Sequence, residues 1–152
     1  MILDWDEYFM GVALLSSRRS KDPNTPVGAC IINNKKQIVG VGYNGMPRGC
    51  DDKDFPWVRD ANPVDSKYMY VVHAELNAIL NSITGLDDCT LYSTLFPCNE
   101  CTKAIIQTGI KKIFYLEDKY SDTDSIIASK KMLDYVGIEY VALPMEDGRC
   151  KM

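Results

Sequence analysis

Apolar residues recur along the chain with two periods, and the switches between them mark its elements. Trp5, Phe9, Val12 and Ala13 fall at helical spacing, and Asp4 followed by Glu7 forms a capping-box pattern, so a helix is predicted over residues 4 to about 19. Pro23 and Pro26 then break the chain. Two β-branched runs follow, VGACIIN at 27–33 and QIVGVGY at 37–43, separated by Asn34-Lys35-Lys36, the pattern of an antiparallel hairpin. Residues 44 to about 70 keep neither period and are rich in Gly, Pro, Asp and Asn. A connection that long inside a compact domain is usually functional or partly structured itself. Beyond it the pattern alternates: helix 74–82, strand 90–94, helix 98–108, strand 112–116, helix 124–136 and strand 138–143. Gly109 and Gly137 stand where helix-ending glycines belong. Alternation of strand and helix implies right-handed parallel crossovers in this half. The predicted fold is α/β: a three-layer α/β/α arrangement with a mixed sheet of about five strands and helices on both faces, in one domain over residues 1–152.

Composition narrows the function classes. Of 152 residues, 46% are apolar and 25% charged, an ordinary globular balance. The apolar runs are too short to span a bilayer. The opening MILDWDEYFM carries acids early and no basic region, unlike a secretory signal. Seventeen basic against 21 acidic residues give a net charge of −4, which disfavours non-specific binding of a polynucleotide. A small phosphorylated ligand needs only a few local donors and stays allowed. Six cysteines (Cys30, Cys50, Cys89, Cys98, Cys101 and Cys150) invite a disulfide reading. Without a secretory signal, and with a core of full size, free thiols or metal ligands are the better expectation. Any chemistry that needs histidine must use His73, the chain's single one.

Two short stretches carry the chemistry: His73-Ala74-Glu75 and Pro97-Cys98-Asn99-Glu100-Cys101. Each opens a predicted helix. Cys98 and Cys101, three apart, share a face of a first turn, and a helix N-terminus favours their thiolates. Pro97 suits the start of a helix, where its missing N–H costs nothing. One imidazole and two thiolates leave the fourth position of a tetrahedral Zn²⁺ open, the mark of a catalytic site. With His73 at the cap, Glu75 can point into the same cavity. H-x-E followed by P-C-x-x-C is the zinc-deaminase signature, in which the Glu is general acid/base and not a ligand. Three alternatives stay open on the residues alone: a redox dithiol, a Cys98–His73 nucleophile pair, and a structural zinc whose fourth ligand is Cys30, Cys50 or Cys89.

On these residues the chain resembles the cytidine/deoxycytidylate deaminase superfamily. Further stretches are similar to deoxycytidylate deaminases in particular: RSKDPN at 19–24 leading into Val27-Gly28-Ala29, GYNGMP at 42–47 with Gly49, HAELNAI at 73–79, LFPCNEC at 95–101 and Asp118-Lys119-Tyr120. The resemblance runs from about Trp5 to Val141. It implies a five-stranded mixed sheet between helices, with one catalytic zinc per subunit on His73, Cys98 and Cys101. It implies hydrolysis of dCMP to dUMP and ammonia, with attack at C4 of the cytosine ring. Glu75 then protonates N3 and shuttles a proton to the amino group, while the N–H of Ala74 meets the pyrimidine O2.

The resemblance also implies substrate contacts at Asn24, Lys119 and Tyr120, the last two for the phosphate. It places an effector site on the loop carrying Gly42, Asn44, Gly45 and Gly49, activated by dCTP and inhibited by dTTP, with Mg²⁺ carried on the triphosphate. A homohexamer is implied, with Trp57 and Tyr68–Tyr70 covering part of a subunit contact. The implied setting is the cytoplasm (the host's, if the source is viral) and the role is supply of dUMP for dTTP synthesis. Other readings keep part of this: a bifunctional dCMP/dCTP deaminase, a polynucleotide deaminase, which the charge and the lack of a basic-aromatic track disfavour, and a non-catalytic nucleotide-binding regulator, which would not need Glu75.

Overall fold

A computed structural model describes residues 2–144; Cys150 and the rest of the segment after Pro144 lie outside the described residues. Five strands form one mixed sheet: β1 (Gly28–Ile32), β2 (Ile38–Tyr43), β3 (Thr90–Leu95), β4 (Lys112–Glu117) and β5 (Glu139–Ala142), in the order β2-β1-β3-β4-β5. β1 pairs antiparallel with both β2 and β3, whereas β3–β4 and β4–β5 are parallel. The helices are α1 (Trp5–Ser17), α2 (Ala74–Leu80), α3 (Asn99–Thr108) and α4 (Asp124–Val136). This is the predicted mixed α/β sheet with helices on both faces. Among the described residues no helix is long and apolar enough to cross a membrane.

The alternation in β1 explains the layering. Cys30 and Ile32 face α1, where Phe9, Met10, Ala13, Tyr92 and Phe114 complete a buried cluster. Ala29 and Ile31 face the other way, towards a larger cluster that includes Ala74, Ala78, Leu91, Ile105, Ile113 and Leu133. One helix therefore covers one face and three cover the other. β1 and β2 are held close to their helices by glycines. A Cβ on Gly28 would run into the Ala13 carbonyl oxygen of α1.

α1 begins as its sequence predicts, with the Asp4 carboxylate accepting from the Glu7 N–H at 2.8 Å. Trp5 departs from the predicted apolar face: it is 53% exposed and stacks on Phe9, with the Lys36 ammonium 5.1 Å from its ring centre. Gly109 and Gly137 close α3 and α4 with φ of 84° and 81°. The long segment 44–72 contains two single 3-10 turns, Pro63–Asp65 and Lys67–Met69. It is pinned by a two-residue bridge between Gly45 and Val72, whose N–H groups and carbonyls pair at 3.1 and 2.8 Å.

Candidate active site

His73 and Cys98 are both helix N-caps. Val72, bridged to Gly45, delivers the chain in an extended conformation to His73 (φ −68°, ψ 155°), and α2 starts at Ala74. Asn77 ties that start to the sheet by donating to the Tyr43 carbonyl at 2.8 Å. Cys98 (φ −68°, ψ 170°) caps α3, its sulfur accepting from the Cys101 N–H at 3.5 Å. The two thiols thus meet as cap and third helical residue rather than across one helical face, and Pro97 precedes the cap instead of occupying the first turn. Ser129 locks this start in place by donating to the Pro97 carbonyl at 3.0 Å.

The two caps bring His73, Cys98 and Cys101 into one cluster, with ligand atoms all within 4.8 Å of one another. His73 Nδ1 lies 3.3 Å from Cys98 Sγ and 3.5 Å from Cys101 Sγ. Tetrahedral zinc with Zn–N of about 2.0 Å and Zn–S of about 2.3 Å has ligand–ligand edges of roughly 3.5–3.8 Å, so the donor set and its spacing fit that ion. Among the described residues no further His, Cys, Asp or Glu joins the group, which leaves a fourth position open. Cys30 and Cys89 are buried free thiols elsewhere, and Cys50 is free as well. None of the five described cysteines is in a disulfide.

The groups of the cluster shift one another's protonation. Hydrogen bonds from Cys101 and from His73 pull the Cys98 thiol down to about 4, against the opposing effect of burial. The same sulfur, with burial and the Glu75 carboxylate, pushes Cys101 up. His73 is raised by its hydrogen bond to Cys98. A divalent cation held between the two sulfurs would favour both as thiolates.

Glu75 is 4% exposed and sits beside the cluster. Burial pushes its carboxyl up, partly opposed by His73. The Ser93 hydroxyl, fully buried, shares its single proton between the Leu95 carbonyl at 2.7 Å and Glu75 Oε1 at 3.2 Å. A carboxyl held this way keeps a proton to higher pH than a solvated one and can pass it to a bound ring.

His73, Ala74, Glu75 and Cys98 line a cavity of about 350 Å³. Also lining it are Asp22, Thr25, Asn44, Arg59, Lys67 and Tyr120. Asp22 and Lys67 form an ion pair of 2.7 Å whose side chains are only 4% and 6% exposed. Burial alone would raise the Asp22 carboxyl, but the Lys67 ammonium and the N–H groups of Asn24 and Thr25 outweigh it and hold it low. Asn44 extends the network, accepting from the Val27 N–H at 2.8 Å and donating to the Thr25 carbonyl at 3.0 Å. Tyr120 is held low by a hydrogen bond from Thr25 and by the nearby charges of Lys119 and Arg59. Asp22, Lys67 and Arg59 are absent from the sequence-based site; no spacing or motif links them.

The remaining sequence-based candidates divide. Ala74 and Tyr120 line the cavity. Asn24 and Lys119 line an adjoining hollow instead, and Lys119 stacks over the Tyr120 ring at 5.4 Å. Asn24 is kept there because its N–H is used to brace Asp22. Gly42 is buried in β2, where a Cβ would stand 2.6 Å from the Ala74 carbonyl oxygen of α2. Asn44 is likewise buried, in the cavity wall rather than on a separate loop. Gly45 is used in the bridge to Val72, and Gly49 is an exposed turn residue with φ of 89°.

Comparison with known proteins agrees with this chemistry. Residues 3–117 match the cytidine and deoxycytidylate deaminase zinc-binding region. The chain is 55% identical over 140 residues to a deoxycytidylate deaminase of Pongo abelii, covering 91% of this chain and 79% of that one. It is 56% identical over 145 residues to a probable deoxycytidylate deaminase of Drosophila melanogaster, covering 91% and 71%. Among solved structures, the dCMP deaminase of cyanophage S-TIM5 in complex with dCMP and dUMP superposes with a TM-score of 0.73 at 29% identity, over 94% of this chain and 99% of that one. With its zinc-binding region spanning most of its length and a His/Cys/Cys cluster beside a buried glutamate, the chain belongs to the cytidine and deoxycytidylate deaminase family and is a hydrolytic deaminase.

Proposed function

We propose that the chain hydrolyses dCMP to dUMP and ammonia. The observation that carries this reading is Glu75, buried in one cavity with the His73, Cys98 and Cys101 cluster; its likeness to deoxycytidylate deaminases supplies the substrate. His73, Cys98 and Cys101 would hold the zinc, which would supply a nucleophilic water at neutral pH. Glu75, kept protonatable by burial, gives a proton to ring N3, takes one from the water that adds at C4, and delivers it to the amino group as the C4–N bond breaks and ammonia leaves. Ser93 fixes the carboxyl in the plane that reaches the ring. The N–H of Ala74 is among those that an α-helix leaves without an intrahelical acceptor, and it takes the pyrimidine O2. Tyr120 and, from the adjoining hollow, Lys119 and Asn24 serve the sugar–phosphate.

The reading extends to regulation and setting. dCTP with Mg²⁺ activates and dTTP inhibits, through the turn at Gly45 and Gly49; a homohexamer carries the effector sites near its contacts. Support for this regulation is the resemblance alone, since Gly42 and Asn44 have packing and cavity-wall duties. Residues 1–152 form one deaminase domain that supplies dUMP for dTTP synthesis. Cys30, Cys50 and Cys89, free thiols outside the metal cluster, support a reducing compartment such as the cytoplasm.

The test is ammonia release by the zinc-loaded protein from dCMP, with and without dCTP–Mg²⁺ or dTTP–Mg²⁺, and separately from dCTP, with and without dTTP–Mg²⁺. Faster turnover of dCMP, raised by dCTP and suppressed by dTTP, supports the whole reading. Equal turnover of both nucleotides favours the bifunctional alternative, and no turnover of either rejects the substrate.

A further inference from the structure

One cation lining the cavity lacks an ion pair among the described residues. Lys67 is neutralised by Asp22 at 2.7 Å, and His73 faces the two thiols. The third cation on the wall is Arg59, from the irregular segment 44–72. Among the described residues no ion pair includes it. Its guanidinium carbon stands 6.0 Å from the centre of the Tyr68 ring, and Tyr68 also lines the cavity. An aromatic face orients a guanidinium without consuming its hydrogen-bond donors; Arg59 also reaches the Tyr120 hydroxyl, which leaves its other donors for an anion. The other cation near this end, Lys119, opens onto the adjoining hollow.

We infer that Arg59 is the specificity residue that selects a 5′-phosphorylated nucleotide over the bare nucleoside. This rests on the dCMP reading and names the group that discriminates within it. Tyr68 presents the guanidinium, Arg59 takes two phosphate oxygens through paired N–H donors, and the Tyr120 hydroxyl adds a third contact from the opposite strand end. The buried Lys67 cannot play this part: its charge is spent on Asp22, and withdrawing it would leave that carboxylate unpaired.

The experiment compares kcat/KM for dCMP and for deoxycytidine in the zinc-loaded wild type, Arg59→Ala and Arg59→Lys. Inhibition constants of dUMP and deoxyuridine are measured on the same proteins. Arg59→Ala is expected to cut the preference for dCMP over deoxycytidine by about 100-fold, the size of a lost charge-assisted pair of hydrogen bonds. The preference of the site for dUMP over deoxyuridine should fall in parallel. Arg59→Lys, which keeps the charge but not the fork, should recover part of both. An unchanged preference in Arg59→Ala, with wild type active on dCMP, overturns the assignment alone. Wild type that releases no ammonia from dCMP overturns the substrate reading and the assignment with it.

Discussion

The two sides of the cavity are built by different means. On one, His73, Glu75, Cys98 and Cys101 come from two helix starts, each a run of a few residues whose backbone directions are set by a cap. On the other, Asp22, Asn44, Lys67 and Tyr120 come from four separate stretches joined by long-range polar contacts, such as an ion pair 45 residues apart in sequence. Local geometry thus places the reacting groups, where a shift of an ångström would cost most of the rate. Tertiary contacts shape the ligand-holding wall, which different substrates can vary without disturbing the chemistry. The difference predicts that changes on the first side act on turnover, and changes on the second act on stability or substrate affinity.

Replacing a metal ligand is the sharpest break. Cys101→Ser should lower bound zinc well below one per chain and turnover by at least about 10⁴-fold, measured by metal analysis and ammonia release. A variant that kept zinc and activity would dissolve the distinction between the two sides. Next in size is Lys67→Met, which strands the Asp22 carboxylate in a buried site and should cost about 3–5 kcal/mol in urea unfolding, with zinc still bound. Gly42→Ala should cost about 1–3 kcal/mol by overpacking β2 against α2, a loss read by the same unfolding curve. Tyr120→Phe should lower kcat/KM for dCMP by about tenfold, mostly through KM in steady-state kinetics.

The smallest effect concerns pH. Asp22 is held below its unfolded value of about 3.9, so it adds stability that is full above that pH and lost as pH falls through the lower folded value. In unfolding measurements, the stability gap between wild type and Asp22→Asn should therefore narrow below about pH 4.

The same contrast explains what was legible in the sequence. Strands and helices follow the sequence closely because β1 and β2 are β-branched runs split by Asn34-Lys35-Lys36, and Gly109 and Gly137 end helices at positive φ. His73, Glu75, Cys98 and Cys101 were legible because their spacing within each motif is short and their order is specific. The pairing of Asp22 with Lys67 was not, since nothing local to either residue reports the other. The packing role of Gly42 was not legible for a physical reason: a glycine freeing a loop and a glycine admitting a helix look alike until the helix is in place. Arg59 carried no signal at all; it stands out only once the cavity's other charges are paired off.

The central claim is that Glu75 moves protons without holding the metal. Zinc content and ammonia release from dCMP by Glu75→Ala, side by side with wild type, test it most directly. The expected result is wild-type zinc with turnover lower by about 10²–10⁴-fold. Zinc lost together with activity would make Glu75 a ligand, and activity retained with zinc bound would remove it from the reaction; either would contradict the assignment.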